Sequence, residues 1–251
     1  MGDVISSSGQ SDDNLQMRYE KGMGLINSTM SILKEISFGE HYFEIAMDLR
    51  TAMLVNGILF NLESQNDLSM TQINCDRKLM RRIFDAEQGT PIESFYLELS
   101  VWPLRHILMA RKLMYYWTLL RKNETELAKQ VFNAQRDFPS EDSWTAEVQG
   151  VLKNCDINIT EAQISKMINA KFKRIVKEKI QSKVLLYLVT LQNKQTKSEN
   201  LHLEVNMQPY LKTKVFSLSQ KKFLFILRSK MLKIKANFSS MQGNISYVFT
   251  V

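Results

Sequence analysis

Cysteine is scarce in this 251-residue chain, which contains only Cys75 and Cys155. Two cysteines cannot form the disulfide framework of a small secreted domain or a common four-ligand zinc site, which indicates a reducing, intracellular compartment. Glycine and proline are also few, at nine and four residues, and this excludes collagenous and low-complexity chains. The longest apolar run covers 184–189 and is too short to span a membrane. The polar, acidic N-terminus lacks the apolar segment of a secretory signal.

Residues that carry catalysis or bind metals are equally sparse. His41, His106 and His202 are far apart, and none has a Cys or His three or four positions away. The glycine-rich phosphate-binding motifs are absent from the sequence. Asp12 and Asp13 are adjacent, as in polymerase metal sites, but their Ser, Gly, Gln and Asn neighbours favour a solvated loop. We therefore predict no catalytic residue, no metal site, no cofactor and no small-molecule substrate.

Charge is distributed unevenly along the chain. Residues 1–150 carry 15 Lys and Arg against 21 Asp and Glu, a net charge of −6, whereas residues 151–251 carry 18 against 5, a net charge of +13. A segment that basic either binds a polyanion or contacts an acidic partner, and the acidic half of the same chain is one such partner. The clearest linker is the polar stretch 136–144. We predict two regions, 1–138 and 139–251.

Helical periodicity predicts an all-α array of about eight or nine helices, with Val4 and Ile5 compatible with the end of a short strand. Gly39 is expected to end the first helix, and capping boxes are expected at 90–93 and 160–163. The apolar run 184–189 is expected to enter a core. Helices are predicted over about 14–36, 40–62, 103–120, 170–192 and 218–235. Three further helices are predicted to start near 71, near 90 and after 123.

One predicted helix is amphipathic with a basic face. On a helical wheel its apolar side chains share one side, namely Phe172, Ile175, Val176 and Ile180. Lysines directed at phosphates release condensed counterions, so such a face is typical of salt-sensitive polyanion binding. The alternative is a solvated surface that balances the acidic half. The predicted nucleic-acid-binding residues on this helix and in a second cationic cluster are Lys171, Lys173, Arg174, Lys177, Lys221, Lys222, Lys230 and Lys233.

Two other groups could extend such an interface. Arg111–Lys112 and Arg121–Lys122 either add to a basic surface or lie at a helix end. Tyr115, Tyr116 and Trp117 are on a predicted amphipathic helix, so we expect core and boundary residues rather than a platform for stacking bases.

Two long segments resemble a known family, namely KGMGLINSTMSILKEISFGEHYFEIAMDLRTAMLVNGILFNLES (21–64) and FYLELSVWPLRHILMARKLMYYWTLL (95–120). They are similar to the thumb and C-terminal region of non-LTR (LINE-type) retrotransposon reverse transcriptases. Further matches are Leu79-Met80-Arg81-Arg82-Ile83 to the family's LRRIL helix, and the segment 96–105 to its YLELG…P.R pattern. The chain departs from the family at Ser100, at Gln65 and after Phe238, where the family's cysteines do not follow.

The resemblance implies a function in binding without chemistry. The family's catalytic palm, with its metal-binding aspartates, would precede Met1, so we expect a non-catalytic fragment rather than an enzyme. A thumb binds the primer–template duplex through contacts to the nucleic-acid backbone, which position the duplex without recognising its sequence. The expected partner is RNA or an RNA–DNA hybrid. The alternative is a helical scaffold or interaction protein that binds no nucleic acid, with its basic half docked on its acidic half.

Overall fold

The computed structural model describes residues 12–36, 41–64, 70–138, 140–141, 143–194 and 207–229. Across these residues the chain is all-α and contains no strand, which confirms the predicted fold class. The helices are α1 (Asp12–Glu35), α2 (Tyr42–Leu49), α3 (Asn56–Ile58), α4 (Met70–Phe84), α5 (Ile92–Leu99), α6 (Leu104–Arg121), α7 (Leu127–Asp137), α8 (Trp144–Asn154), α9 (Glu161–Lys166), α10 (Asn169–Lys194), α11 (Pro209–Lys212) and α12 (Leu218–Arg228).

The first helix starts earlier than predicted. Asp12 and Asp13 are the first residues of α1, so they lie in a helix and not in the expected loop. Acidic residues favour this position because the helix dipole is positive at its N-terminus. Val4, Ile5 and Gly39, for which a strand end and a helix end were predicted, lie outside the described residues.

The second predicted helix is interrupted by a π-helical turn. Residues Arg50–Val55 form this turn between α2 and α3, and a 3₁₀ turn follows at Leu62–Ser64. The apolar pattern of 40–62 is nearly continuous, so periodicity alone does not show the extra residue of a π turn. The side chain of Arg50 is buried and forms a two-pronged ion pair with Asp76 of α4.

The predicted helix starts are confirmed at one position and wrong at another. The Thr160 hydroxyl accepts from the backbone N–H of Gln163, and the Gln163 side chain accepts from the backbone N–H of Thr160, which completes the predicted capping box. At 90–93 no such box forms, because Pro91 with extended ψ takes the N-cap position and the Thr90 side chain makes no cap hydrogen bond. An unpredicted capping box, Ser217 with Gln220, starts α12.

The buried side chains form one continuous cluster that draws on both halves of the chain. Helix α6 is central to it, since α7, α8, α9 and α10 all pack against this helix. Tyr116 of α6 is 1% exposed, and its ring lies 5.8 Å from that of Phe132 on α7. Tyr115 and Trp117 are half-buried, so the expectation that these aromatics are core and boundary residues is confirmed. The boundary at 138/139 stays a prediction.

The long helix α10 keeps a single buried stripe along its described length. Phe172, Val176, Ile180, Val184 and Leu188 are each at most 4% exposed. The expectation that 184–189 enters a core on all sides is wrong, because Leu186 is 60% exposed and two of its neighbours are more than one-third exposed. A helix packed against α5 and α6 on one side leaves its other side in solvent. No helix within the described residues is both long enough and apolar enough to cross a membrane.

Candidate nucleic-acid interface

The predicted basic face of α10 is present and accessible. Lys171, Lys173, Arg174 and Lys177 are all exposed, and they alternate with the buried Phe172 and Val176. Four of the seven residues from 171 to 177 are therefore cations that point away from the core. The structure brings together these four predicted site residues on one helix.

Most of this positive charge is not neutralised within the described part of the chain. Lys171, Lys173 and Lys177 form no salt bridge there. Arg174 faces Glu178 one turn later, with its Nε 3.9 Å from the carboxylate, and both side chains are about 70% exposed. An exposed pair at that distance contributes little to stability, on the order of 0.5 kcal/mol. The guanidinium therefore remains free to change partner.

The start of α10 is held in place by the central helix α6. The indole Nε1 of Trp117 donates to the backbone carbonyl of Met167 at 3.0 Å, and Arg121 donates to the same carbonyl at 3.0 Å and to that of Ser165 at 3.3 Å. The Arg121 guanidinium also lies over the Trp117 ring, 4.9 Å from its centroid. These contacts fix the turn between α9 and α10, so the basic face has a defined position relative to the core.

In the second predicted cluster, the two described lysines differ from the cations of α10. Lys221 is 4% exposed, so its side chain is not a surface cation. Lys222 already pairs with Asp85, with its Nζ 2.7 Å from the carboxylate. Both lysines are therefore less accessible than the cations of α10, and their role in binding stays a prediction. Lys230 and Lys233 lie outside the described residues.

The remaining basic pairs on α6 also have structural roles. Lys112 is 1% exposed and pairs with Glu147 of α8, so it cannot extend a surface. Arg121 is committed to the carbonyls at the start of α10. Within α6, Lys112 is therefore part of a buried ion pair, and Arg121 helps to position the start of α10.

A further cluster of cations was not predicted as a site. Arg77, Lys78, Arg81 and Arg82 of α4 line a groove with a volume of about 820 Å³, together with Tyr19 and Met23 of α1. Arg81 and Arg82 belong to the family-like segment 79–83, and neither was predicted to bind a ligand. Their spacing places the four cations on neighbouring ridges of one helix, so a wheel drawn over DRKLMRRIF would have detected the cluster.

Among the residues considered for chemistry, His106 and the two cysteines are buried, and His202 lies outside the described residues. His106 is buried beside the Tyr187 ring at 5.2 Å, and burial together with nearby Arg105 lowers the pKa of His106 to about 4. Both cysteine thiols are buried and free, and burial raises the pKa of each. Among the described residues, no group of three or more His, Cys, Asp or Glu side chains could hold a metal ion.

A scan against protein-family models finds no significant match, and neither does a search of curated proteins or a search of solved structures. Function is therefore inferred from the residues and geometry of the chain itself.

Proposed function

We propose that this chain is a non-catalytic part of a retrotransposon-type reverse transcriptase that binds RNA or an RNA–DNA duplex through phosphate contacts. The observation that supports this most is the exposed face of α10, where Lys171, Lys173, Arg174 and Lys177 lie within two turns. The order of family-like segments in the sequence supports the choice of nucleic acid over other polyanions.

The physical basis of binding is counterion release. A duplex carries a condensed layer of cations, and each lysine or arginine that neutralises a phosphate frees some of them into solution. The buried stripe of α10 removes five of its side chains from solvent, so the helix is a rigid support for the charges. Phosphate contacts of this kind position a duplex and carry no sequence information.

Fluorescence anisotropy with a labelled RNA–DNA hybrid across a salt series tests the proposal. Replacing all four α10 cations by glutamine should reduce the slope of log K against log salt by about 3–4, since each phosphate contact to a duplex contributes about 0.9. A matched comparison uses two double variants, with Lys173→Gln/Lys177→Gln as the test and Lys34→Gln/Lys153→Gln as the control. The second pair removes the same charge from exposed sites on α1 and α8. An unchanged slope in the α10 variants would contradict the proposal.

A second candidate is supported by the contacts of α12. Lys222 pairs with Asp85 at 2.7 Å, and Arg228 Nε donates to Glu98 at 2.7 Å, where the carboxylate side chain is fully buried. In these pairs the basic half neutralises the acidic half, as expected of a helical scaffold that binds no nucleic acid. The same anisotropy series separates the two candidates. A chain that is helical by circular dichroism and binds no hybrid at low salt would favour the scaffold.

A further inference from the structure

The groove between α1 and α4 carries more positive charge than the dipole of α4 explains. Cations favour the last turn of a helix because the dipole is negative there, and this accounts for Arg81 and Arg82. It does not account for Arg77 and Lys78, which lie a turn earlier. Like charges that lie side by side repel one another, and a bound anion would offset this repulsion.

Several of the cations are oriented but retain unused donors. Lys78 Nζ donates to the Tyr19 hydroxyl at 2.8 Å, and Arg82 Nη1 donates to the Asn27 side chain at 2.7 Å. The Nε atoms of Arg77 and Arg81 are buried and have no hydrogen-bond partner within the described residues. A buried N–H without a partner costs free energy, so both groups would gain from an acceptor that enters the groove.

The acidic lining residue does not supply this acceptor. Asp85 is the single carboxylate among the residues that line the groove, and it is paired with Lys222 of α12. Burial lowers the pKa of Arg81, and the neighbouring charge of Arg77 lowers it further. A bound anion would offset the repulsion between these two guanidinium groups.

The geometry favours a compact ligand. Arg77 and Arg82 are five residues apart, which is about 7.5 Å along the helix axis. A nucleic-acid strand advances about 3.4 Å per phosphate, so the same length would present only about two charges to four cations. An oligophosphate concentrates roughly three or four negative charges in that span. A groove of about 820 Å³ is also within the size range of small-molecule sites.

We propose that the α1–α4 groove is an anion site that binds an oligophosphate chain through Arg77, Lys78, Arg81 and Arg82. Two sources share this chemistry, inorganic polyphosphate and a nucleoside triphosphate. The guanidinium groups bind phosphate oxygens as bidentate donors, and Lys78 acts as a point charge whose position Tyr19 fixes. The site is separate from the basic face of α10 and does not depend on the function proposed for that face.

Isothermal titration calorimetry of the full chain with inorganic tripolyphosphate and with ATP, at about 0.15 M salt, tests this proposal. The groove variant Arg77→Gln/Arg82→Gln should bind tripolyphosphate at least about tenfold more weakly, because two charge-assisted contacts are lost. The matched control Lys34→Gln/Lys153→Gln removes the same charge from exposed sites outside the groove and should stay within about twofold of wild type. Arg81 is left unchanged because it also donates to the backbone carbonyls of Gln88 and Thr90.

The outcomes are distinct. Equal affinities for the two probes would assign the site to the phosphate chain alone, whereas tighter ATP binding that is lost in the groove variant would assign it to a nucleotide. No heat with either probe at about 1 mM would overturn the proposal. Equal weakening in both variants would also overturn it, as would a groove variant that loses oligonucleotide binding but keeps tripolyphosphate binding. If the double variant does not fold, the exposed single variant Lys78→Gln gives the same comparison.

Discussion

The buried ion pair between Arg50 and Asp76 should be one of the most sensitive points of the fold. Arg50 Nε donates to one carboxylate oxygen at 2.7 Å, and its Nη2 donates to the other at 2.8 Å. The Tyr96 hydroxyl donates to the second oxygen at 3.0 Å, and Arg50 Nη2 also reaches the Trp102 carbonyl at 3.2 Å. The side chains of Arg50 and Asp76 are 2% and 0% exposed. The cluster joins the π turn to α4 and α5.

The electrostatics of the cluster explain the sensitivity. Burial by itself would lower the pKa of Arg50, but the charge and hydrogen bonds of Asp76 outweigh burial and raise it. The substitution Asp76→Asn removes that charge with little change in volume and leaves a guanidinium buried without a counter-ion. Loss of one partner of a buried pair costs about 3–5 kcal/mol. A typical domain is stable by only about 5–15 kcal/mol, so this loss would be severe.

Urea unfolding followed by circular dichroism measures the effect. At a slope of about 2.5 kcal/mol per molar urea, the midpoint of the Asp76→Asn variant should fall by about 1–2 M. The double variant Arg50→Met/Asp76→Leu should recover most of the loss, since an apolar pair of similar volume avoids the desolvation cost. Tyr96→Phe, which removes one hydrogen bond, should cost only about 1 kcal/mol. A single variant within about 1 kcal/mol of wild type, or a double variant no more stable than the single one, would refute this reasoning.

Four further substitutions test the packing and the protonation of the core. Gly22→Ala should destabilise the chain by about 1–3 kcal/mol in thermal unfolding, because a Cβ there would lie 2.9 Å from Cys75 Sγ. A Cβ at Gly24 has no atom within 4 Å, so Gly24→Ala should stabilise the chain by up to about 1 kcal/mol. If Gly22→Ala and Gly24→Ala changed the stability in the same direction, this account would be contradicted. Folding lowers the pKa of His106 from 6.5 to about 4, so between pH 6.5 and 4 the imidazole is protonated only in the unfolded chain. Acidification through this range should therefore destabilise wild type by up to about 3 kcal/mol more than it destabilises His106→Phe. Parallel pH profiles of the urea midpoint would disprove this. Phe225→Ala should cost about 3–5 kcal/mol in urea unfolding, because the fully buried ring has its centroid 4.1 Å from that of Phe84 and 4.9 Å from that of Phe95. A loss below about 1 kcal/mol would show that α12 does not pack against these rings.

The helices themselves follow from local sequence patterns. The apolar spacing of α10 predicts both its buried stripe and its basic face, and both are present in the fold. The capping box at Thr160 follows from four adjacent residues. Such features are local, because a side chain three or four positions away on a helix is a neighbour whatever the rest of the chain does.

The errors occur where remote contacts decide the outcome. The run 184–189 is apolar on all sides, yet only one of its sides meets α5 and α6, so Leu186 remains exposed. The π turn beginning at Arg50 is not visible in the apolar periodicity of 40–62, and its side chain meets a carboxylate 26 residues away. No pattern within a single helix specifies either contact.

The availability of each cation was likewise decided by tertiary structure. In sequence, Lys171 and Lys222 both belong to basic clusters of the second half. The fold leaves Lys171 in solvent and places Lys222 against Asp85, which is 137 residues earlier in the chain. The sequence by itself therefore determined the helices, their apolar faces and the charge asymmetry. Which charges remain free to bind an anion depended on packing between distant helices, because a charge is neutralised by its neighbours in space and not by its neighbours along the chain.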